Sequence, residues 1–240
     1  MARSTLTMGY GILFMLSLAG VVNGQQTPAA TKPAPYSAGD INVSASRVYA
    51  HVFKKTAIGH EHAIIGRIKQ GHIEFSEDQG RGEIVFDMTS FDADSEEARK
   101  FLRLEGSTDA GTRKQVNANM LGPTVLDVKT HPTAVFRITD VTRTKETSRR
   151  GLPQYQLEGK FTLHGRTQAV SVLAEVNETK GWTHLLGGFR IKQTDFGITP
   201  FTKAFGTIGV ADEMLIYGDL YVAGSIDRLS QAVKQPAVQR

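Results

Sequence analysis

The chain has 240 residues, a formal net charge of +4 and no cysteine, which excludes a thiol nucleophile, a cysteine-ligated zinc and covalent haem attachment. Its basic residues are spread along the chain and form no stripe interleaved with aromatic residues, so we predict no nucleic-acid partner. The length suits one large domain or two small ones, and such a chain can bury a core that holds without disulfides.

The N-terminal segment has the layout of a secretory signal. Arg3 precedes an apolar run from Met8 to Val22, and Asn23-Gly24 follow it, which suits a signal-peptidase site. We therefore expect a signal peptide over residues 1–24 and a periplasmic or secreted protein. Residues 25–39 are rich in proline and alanine, a composition that predicts a disordered linker.

Alternating apolar and polar residues dominate residues 40–224, which we predict to be one domain, followed by a C-terminal tail over 225–240. From Tyr155 to Leu163 the odd positions are apolar or small and the even positions polar, as in an antiparallel sheet with one buried face. Closure removes the edges of many such strands. The predicted fold class is all-β, an antiparallel β-barrel of about eight strands with a short helical insertion.

The helical insertion lies between Asp94 and Leu121, where apolar residues recur at helical spacing. Asp94 and Glu97 suit a capping box, and Gly122 suits a helix stop. The break at residues 106–109 predicts two short helices. They would either cap the barrel or lie against its outside.

One predicted hairpin loop, residues 143–150, carries four basic residues and one glutamate. The simplest interpretation is a solvated hairpin tip. The alternative is peripheral contact with an anionic membrane, to which each basic residue would contribute about 1 kcal/mol.

Five segments in register resemble the YceI family. They are TSFDAD at 89–94, the helical insertion with Phe101 and Leu102, LDVKTHPTAVF at 126–136, KFTLHGRTQAV at 160–170 and GFRIKQTDFGI at 188–198. This resemblance covers residues 41–224 and implies an exported, lipocalin-like barrel. It also implies a long apolar cavity that takes a polyisoprenoid or a similar amphiphile, in a binding protein rather than an enzyme. No catalytic residue and no cofactor are predicted.

The stretch AIGHEHAIIG, residues 57–66, places His60 and His62 two residues apart at the start of a strand. In an extended strand both histidines share a face with Ile64 and Ile68, while the opposite face carries the charged residues. The apolar face should point inward. We therefore predict that His60 and His62 face the interior of the barrel at one end.

Four roles for this histidine pair remain open. The imidazoles could be hydrogen-bonded to backbone or water, bind the head group of a ligand, hold a metal ion, or act in acid–base catalysis. Neutral imidazole suits a hydroxyl group and protonated imidazole an anion, so a head-group site would depend on pH. A metal site needs further ligands from His51, His72, His164 or an acidic residue, although His72 and His164 are predicted to face outward.

The predicted function is a binding protein that holds a polyisoprenoid or another long amphiphilic lipid. The alternatives are a metal-binding protein that uses His60 and His62 in stress or redox physiology, and a filled barrel that acts through its surface. Periodicity does not separate a filled barrel from a hollow one, and the resemblance favours the hollow one. The oligomeric state stays open between monomer and dimer. The predicted ligand-binding residues are His60, His62, Ile64, Phe86, Phe101, Leu102, Phe136, Phe161, Leu163, Phe189 and Ile191.

Overall fold

The structure is a computed structural model that describes residues 36–57, 59–75, 80–203, 205 and 207–226. The predicted signal peptide, residues 25–35 of the predicted linker and residues 227–240 of the predicted C-terminal tail lie outside the described residues. In the part of the chain that is described, no helix is both long enough and apolar enough to span a membrane.

The architecture is a closed antiparallel β-barrel. Its strands are β1 (Arg47–Lys54), β2 (His62–Glu74), β3 (Arg81–Ala93), β4 (Thr133–Thr147), β5 (Pro153–Leu163), β6 (Arg166–Thr179), β7 (Trp182–Lys192), β8 (Thr202–Lys203) and β9 (Ile208–Ala223). Strands β1 to β7 pair in sequence order, β7 pairs with β9, and β9 returns to pair with β1. Eight strands therefore form the barrel, and the short β8 pairs with the start of β9. The predicted all-β barrel of about eight strands is confirmed.

The alternating apolar side chains point into this barrel, as their period of two predicts. On β6, for example, Val172, Ala174 and Val176 are buried, whereas Ser171 and Leu173, which alternate with them, are exposed. The end of the barrel where β2 ends and β3 begins is filled. The inward-facing side chains Ile73 and Phe75 there are at most 2% exposed.

Two register shifts interrupt the pairing of β2 with β3. The first lies between Ile65 and Arg67, and it brings Phe91 of β3 next to Gly66. A Cβ atom on Gly66 would lie only 2.3 Å from Cε2 of Phe91, so the missing side chain leaves room for the ring. Because of this bulge, Phe91 enters the wall of the interior.

The insertion forms two helices, α1 (Glu96–Leu102) and α2 (Ala110–Leu121), separated near residues 106–109 as predicted. The cap of α1 differs from the prediction, because Ser95 accepts the hydrogen bond from the Ala98 amide. Asp94 is instead a buried residue with a left-handed φ of 55°. A 3-10 helix, Gln193–Phe196, follows β7.

Candidate ligand-binding cavity

A cavity of about 370 Å³ opens at the end of the barrel where β1 ends and β2 begins. Its wall is mostly apolar, and its polar side chains come mainly from the start of β2, from α2 and from the segments near β8. Ligand sites commonly combine such an apolar wall with a few polar groups. The apolar lining from the strands consists of Val48, Ala50, Val52, Ile64, Phe86, Met88, Phe91, Ala134, Phe161, Leu163, Ile208, Val210, Met214 and Ile216.

A much smaller cavity of about 40 Å³ lies deeper in the barrel and shares Val48, Phe86 and Ile216 with the first one. Aromatic rings pack around it, with the ring centroids of Phe136 and Phe189 6.2 Å apart. The interior is therefore hollow near the open end and packed farther down. The periodicity left a filled barrel and a hollow barrel open, and each of these descriptions fits one part of the interior.

Most of the predicted ligand-binding residues lie on these walls. The larger cavity is lined by His60, His62, Ile64, Phe86, Phe161 and Leu163, and the smaller one by Phe86, Phe136 and Phe189. Ile191 is buried in the core but belongs to neither wall. Contact of these residues with a ligand stays a prediction.

Phe101 and Leu102, which were predicted to bind the ligand, line neither of these two cavities. Both belong to α1, which packs on the outer face of the barrel beside Tyr49 and Tyr217. The ring of Phe101 stacks on that of Tyr49 with centroids 3.7 Å apart. Helical spacing identifies the apolar side of a helix but does not tell which face of the barrel it covers.

Helix α2 supplies wall residues that the sequence reasoning missed. Val116 and Met120, four positions apart, line the cavity together with Thr112, Gln115 and Asn119. Their helical spacing was visible in the sequence, but nothing in it distinguished α2 from α1. One helix of the insertion thus lies outside the barrel and the other lines the cavity.

His62 is held by a buried carboxylate. Its Nδ1 atom lies 2.7 Å from Oδ2 of Asp94, whose side chain is fully buried. An ionised carboxylate can only accept a hydrogen bond, so Nδ1 of His62 carries the proton. The Nε2 atom of His62 is then an acceptor while the ring is neutral and becomes a donor when the ring is protonated.

Asp94 receives several further hydrogen bonds. The Ala63 amide donates to Oδ1 at 3.0 Å, Arg99 donates to Oδ1 at 3.1 Å, and the Thr108 hydroxyl donates to Oδ2 at 3.2 Å. Burial raises the pKa of Asp94, but the hydrogen bonds from His62 and Ala63 outweigh it, so the pKa lies below its ordinary value of 3.8. Asp94 therefore stays ionised at neutral pH and orients the imidazole of His62.

His60 lies at the rim of the cavity, where it is exposed. Strand β2 begins at the half-buried His62, which therefore follows the predicted inward face, whereas His60 precedes the strand and is more exposed than predicted. Both imidazoles line the opening. Both can exchange hydrogen bonds with a polar group that remains near the opening.

Among the described residues, nothing supports a metal centre at this histidine pair. In the ranges that the structure describes, no group of three or more His, Cys, Asp and Glu residues could hold a metal ion. The predicted additional ligands are engaged elsewhere. His51 bonds to Glu61, His72 to Asp40, and His164 to the backbone carbonyl of Phe196.

Comparisons with known proteins agree with this architecture. The family model of the YceI-like domain matches residues 40–221. The solved structure of Burkholderia cenocepacia BcnA is 23% identical, with 77% of this chain and 100% of that chain covered and a TM-score of 0.52, which supports the barrel fold.

Two further structures are similar at lower scores. A polyisoprenoid binding domain from Saccharophagus degradans is 13% identical, with 78% of this chain and 99% of that chain covered and a TM-score of 0.48. The Campylobacter jejuni YceI protein is 10% identical, with 67% of this chain and 84% of that chain covered and a TM-score of 0.44. No curated protein matches the chain.

Proposed function

The chain belongs to the YceI-like domain family, and on that premise we propose that its barrel binds a polyisoprenoid or another long amphiphilic lipid. The apolar tail occupies the cavity, and the polar head lies at the opening beside His60 and His62. The role is binding rather than catalysis.

The observation that supports this proposal is the polarity of the cavity. Its deeper wall is formed by side chains such as Ile64, Phe86 and Phe161, whereas its histidines lie at the opening. Burial of a tail contributes about 25 cal/mol per Å² of apolar surface, before the cost of ordering the ligand is subtracted. A volume of about 370 Å³ lies within the range of small-molecule sites, about 300–1,000 Å³.

The direct test is native mass spectrometry of the protein purified without detergent, before and after extraction with an organic solvent. We expect an added mass that extraction removes and that lipid analysis identifies as an amphiphile with a long apolar tail. The bare chain mass in both samples, or an added mass of one metal ion that survives extraction, would contradict the proposal.

A pair of variants on α2 tests where that ligand lies. Val116→Trp should fill the opening and reduce the bound lipid at least about tenfold, since a ring placed there occupies the ligand's space. Ala118→Trp makes the same change at an exposed position of the same helix that lies outside the cavity wall. Equal lipid content in the two variants would show that the ligand does not occupy this cavity.

A further inference from the structure

The edge of the cavity opening formed by β1, β8 and β9 combines basic and apolar side chains. We call it the mouth lip and define it by Lys54, Lys55, Lys203, Phe205 and Ile208. Lys203 and Ile208 also line the cavity. The mouth lip therefore borders the cavity opening.

Backbone pairing holds the two segments of the lip side by side. Lys54 pairs with Val210 of β9, and the Lys55 amide donates to the carbonyl of Gly209 at 2.9 Å. Lys203 pairs with Ile208 across the β8–β9 hairpin. The three lysines and the two apolar residues thus belong to one continuous edge rather than to separate loops.

The apolar part of the mouth lip is unusually exposed. In the described part of the chain, four large apolar side chains are exposed, and two of them, Phe205 and Ile208, lie here at 112% and 41%. Phe205 also has a left-handed φ of 54°, which a bulky residue seldom adopts. Burial of the exposed apolar side chains of Phe205 and Ile208 in an apolar phase is favourable.

The charged part of the lip is positive. Lys54, Lys55 and Lys203 are exposed, and among the described residues no carboxylate lies within ion-pair distance of any of them. Lys203 instead lies over the ring of Phe201, with Nζ 5.6 Å from its centroid. Lysines beside exposed aromatic and aliphatic side chains are the combination that binds the interface of an anionic bilayer.

We propose that the mouth lip docks on an anionic phospholipid surface, so that the cavity opens toward the membrane. The lysines contact the lipid phosphates, and Phe205 and Ile208 enter the interfacial layer. This inference concerns the surface of the barrel and does not depend on what the cavity holds, so it and the proposed function can fail independently.

The basic loop at residues 143–150, the sequence-based candidate for membrane contact, lies at the opposite end of the barrel. Strand β4 starts at the open end, where Ala134 lines the cavity, and ends at Thr147. The loop also loses part of its charge to an ion pair between Arg150 and Glu175, with 2.5 Å between nitrogen and oxygen. It therefore serves as the matched control for the mouth lip.

The orientation can be measured with single-cysteine variants, because the chain has no cysteine of its own. Ala57→Cys, beside the lip, and Thr147→Cys, at the opposite end, are both exposed positions and leave the charge unchanged. Each is labelled with an environment-sensitive fluorophore and mixed with vesicles of equal parts phosphatidylcholine and phosphatidylglycerol. The readout is local, so any membrane affinity of the N-terminal segment does not confuse it.

We expect a blue shift, and quenching by nitroxide lipids, for the label at position 57 but not for the label at position 147. High salt and vesicles of phosphatidylcholine alone should both reduce the signal. A stronger response at position 147, equal responses at the two positions, or no response at either would overturn the proposal.

Charge variants test the same surface in the labelled Ala57→Cys protein. The triple change Lys54→Gln, Lys55→Gln and Lys203→Gln should weaken vesicle binding on the order of 100-fold, because each lysine near an anionic surface contributes about fivefold. Phe205→Ser should weaken it about tenfold.

The matched control is the triple change Arg143→Gln, Lys145→Gln and Arg149→Gln at the opposite end, which should leave vesicle binding within about twofold. If the control weakens binding as much as the lip variant does, general charge rather than the mouth lip drives the contact, and the proposal is wrong.

Discussion

At the scale of single residues, the hydrogen bond to Asp94 determines which nitrogen of His62 is left for another partner. Asp94 occupies its Nδ1 atom, so Nε2 is the atom of His62 that remains to meet a ligand. A carboxylate behind an imidazole fixes the tautomer and the ring orientation, as it does in many histidine sites. The role of the pair as a head-group site stays a prediction.

His62→Ala should weaken binding of a polyisoprenol about tenfold, since one hydrogen bond is lost at the opening. Binding of a hydrocarbon of the same tail length should change by less than about twofold. The measurement is displacement of a fluorescent fatty probe by each ligand. Equal losses for the two ligands would indicate that His62 only shapes the wall.

Asp94→Asn should lower the free energy of unfolding at neutral pH by about 3 kcal/mol, because the buried charge that Arg99 and His62 surround is removed. The sign of its pH dependence follows from the lowered pKa of Asp94. A carboxyl with a lower pKa in the folded state stabilises the fold above its unfolded pKa, near 3.8, and loses this contribution as the pH falls through the folded value.

The difference in the free energy of unfolding between Asp94→Asn and the wild type should therefore become smaller below about pH 4. Urea unfolding at neutral and acidic pH would measure it. Thr108→Val, which removes only one neutral donor to the same carboxylate, is the milder control, and we expect a loss of about 1 kcal/mol from it. A gap that stays constant with pH would contradict the assigned role of Asp94.

At the scale of elements, the two helices of the insertion lie in different places relative to the barrel wall. Helix α1 covers Tyr49 and Tyr217 on the outside, whereas α2 contributes Val116 and Met120 to the cavity wall. Burial of Tyr49 raises the pKa of its hydroxyl, and the neighbouring carboxylates of Glu97 and Asp219 raise this pKa further. Stability should therefore depend on α1 and ligand binding on α2.

Phe101→Ala tests this division. Loss of the ring that stacks on Tyr49 should cost about 2 kcal/mol of stability, measured by thermal or urea unfolding. The lipid content of the folded variant, measured by native mass spectrometry, should stay as in the wild type. A selective loss of lipid at unchanged stability would return Phe101 to the ligand site.

At the scale of the whole molecule, the barrel is filled at one end and hollow at the other. The open end carries the histidines and the mouth lip, and the basic loop lies at the filled end. A ligand longer than the cavity must leave its remaining length at the opening. An opening that faces a membrane would shield that part from water, which links the two proposals without making either depend on the other.

Export is a further proposal at this scale, supported by the apolar run from Met8 to Val22. We expect the protein expressed with its full N-terminus in a Gram-negative host to be recovered from the periplasmic fraction, with a mature chain that begins near Gln25. N-terminal sequencing would show it. An unprocessed chain in the cytoplasmic fraction would contradict the proposal.

The sequence by itself determined the features that depend on neighbours along the chain. A period of two defined the barrel strands and the inward faces, including those of His62, Ile64 and Phe161, because side chains alternate across a strand. Helical spacing and the break at residues 106–109 defined two helices. Which residues share a face of a strand can be predicted without knowing the neighbouring strands.

Only the tertiary structure decided which of these surfaces meet. The bulge that admits Phe91 depends on pairing between β2 and β3, and the partner of His62 is a residue 32 positions away that the sequence marked as a helix cap. Likewise, α1 and α2 have similar local signals but cover opposite sides of the wall. Each of these outcomes depends on contacts between residues far apart in the chain, and local periodicity carries no information about such contacts.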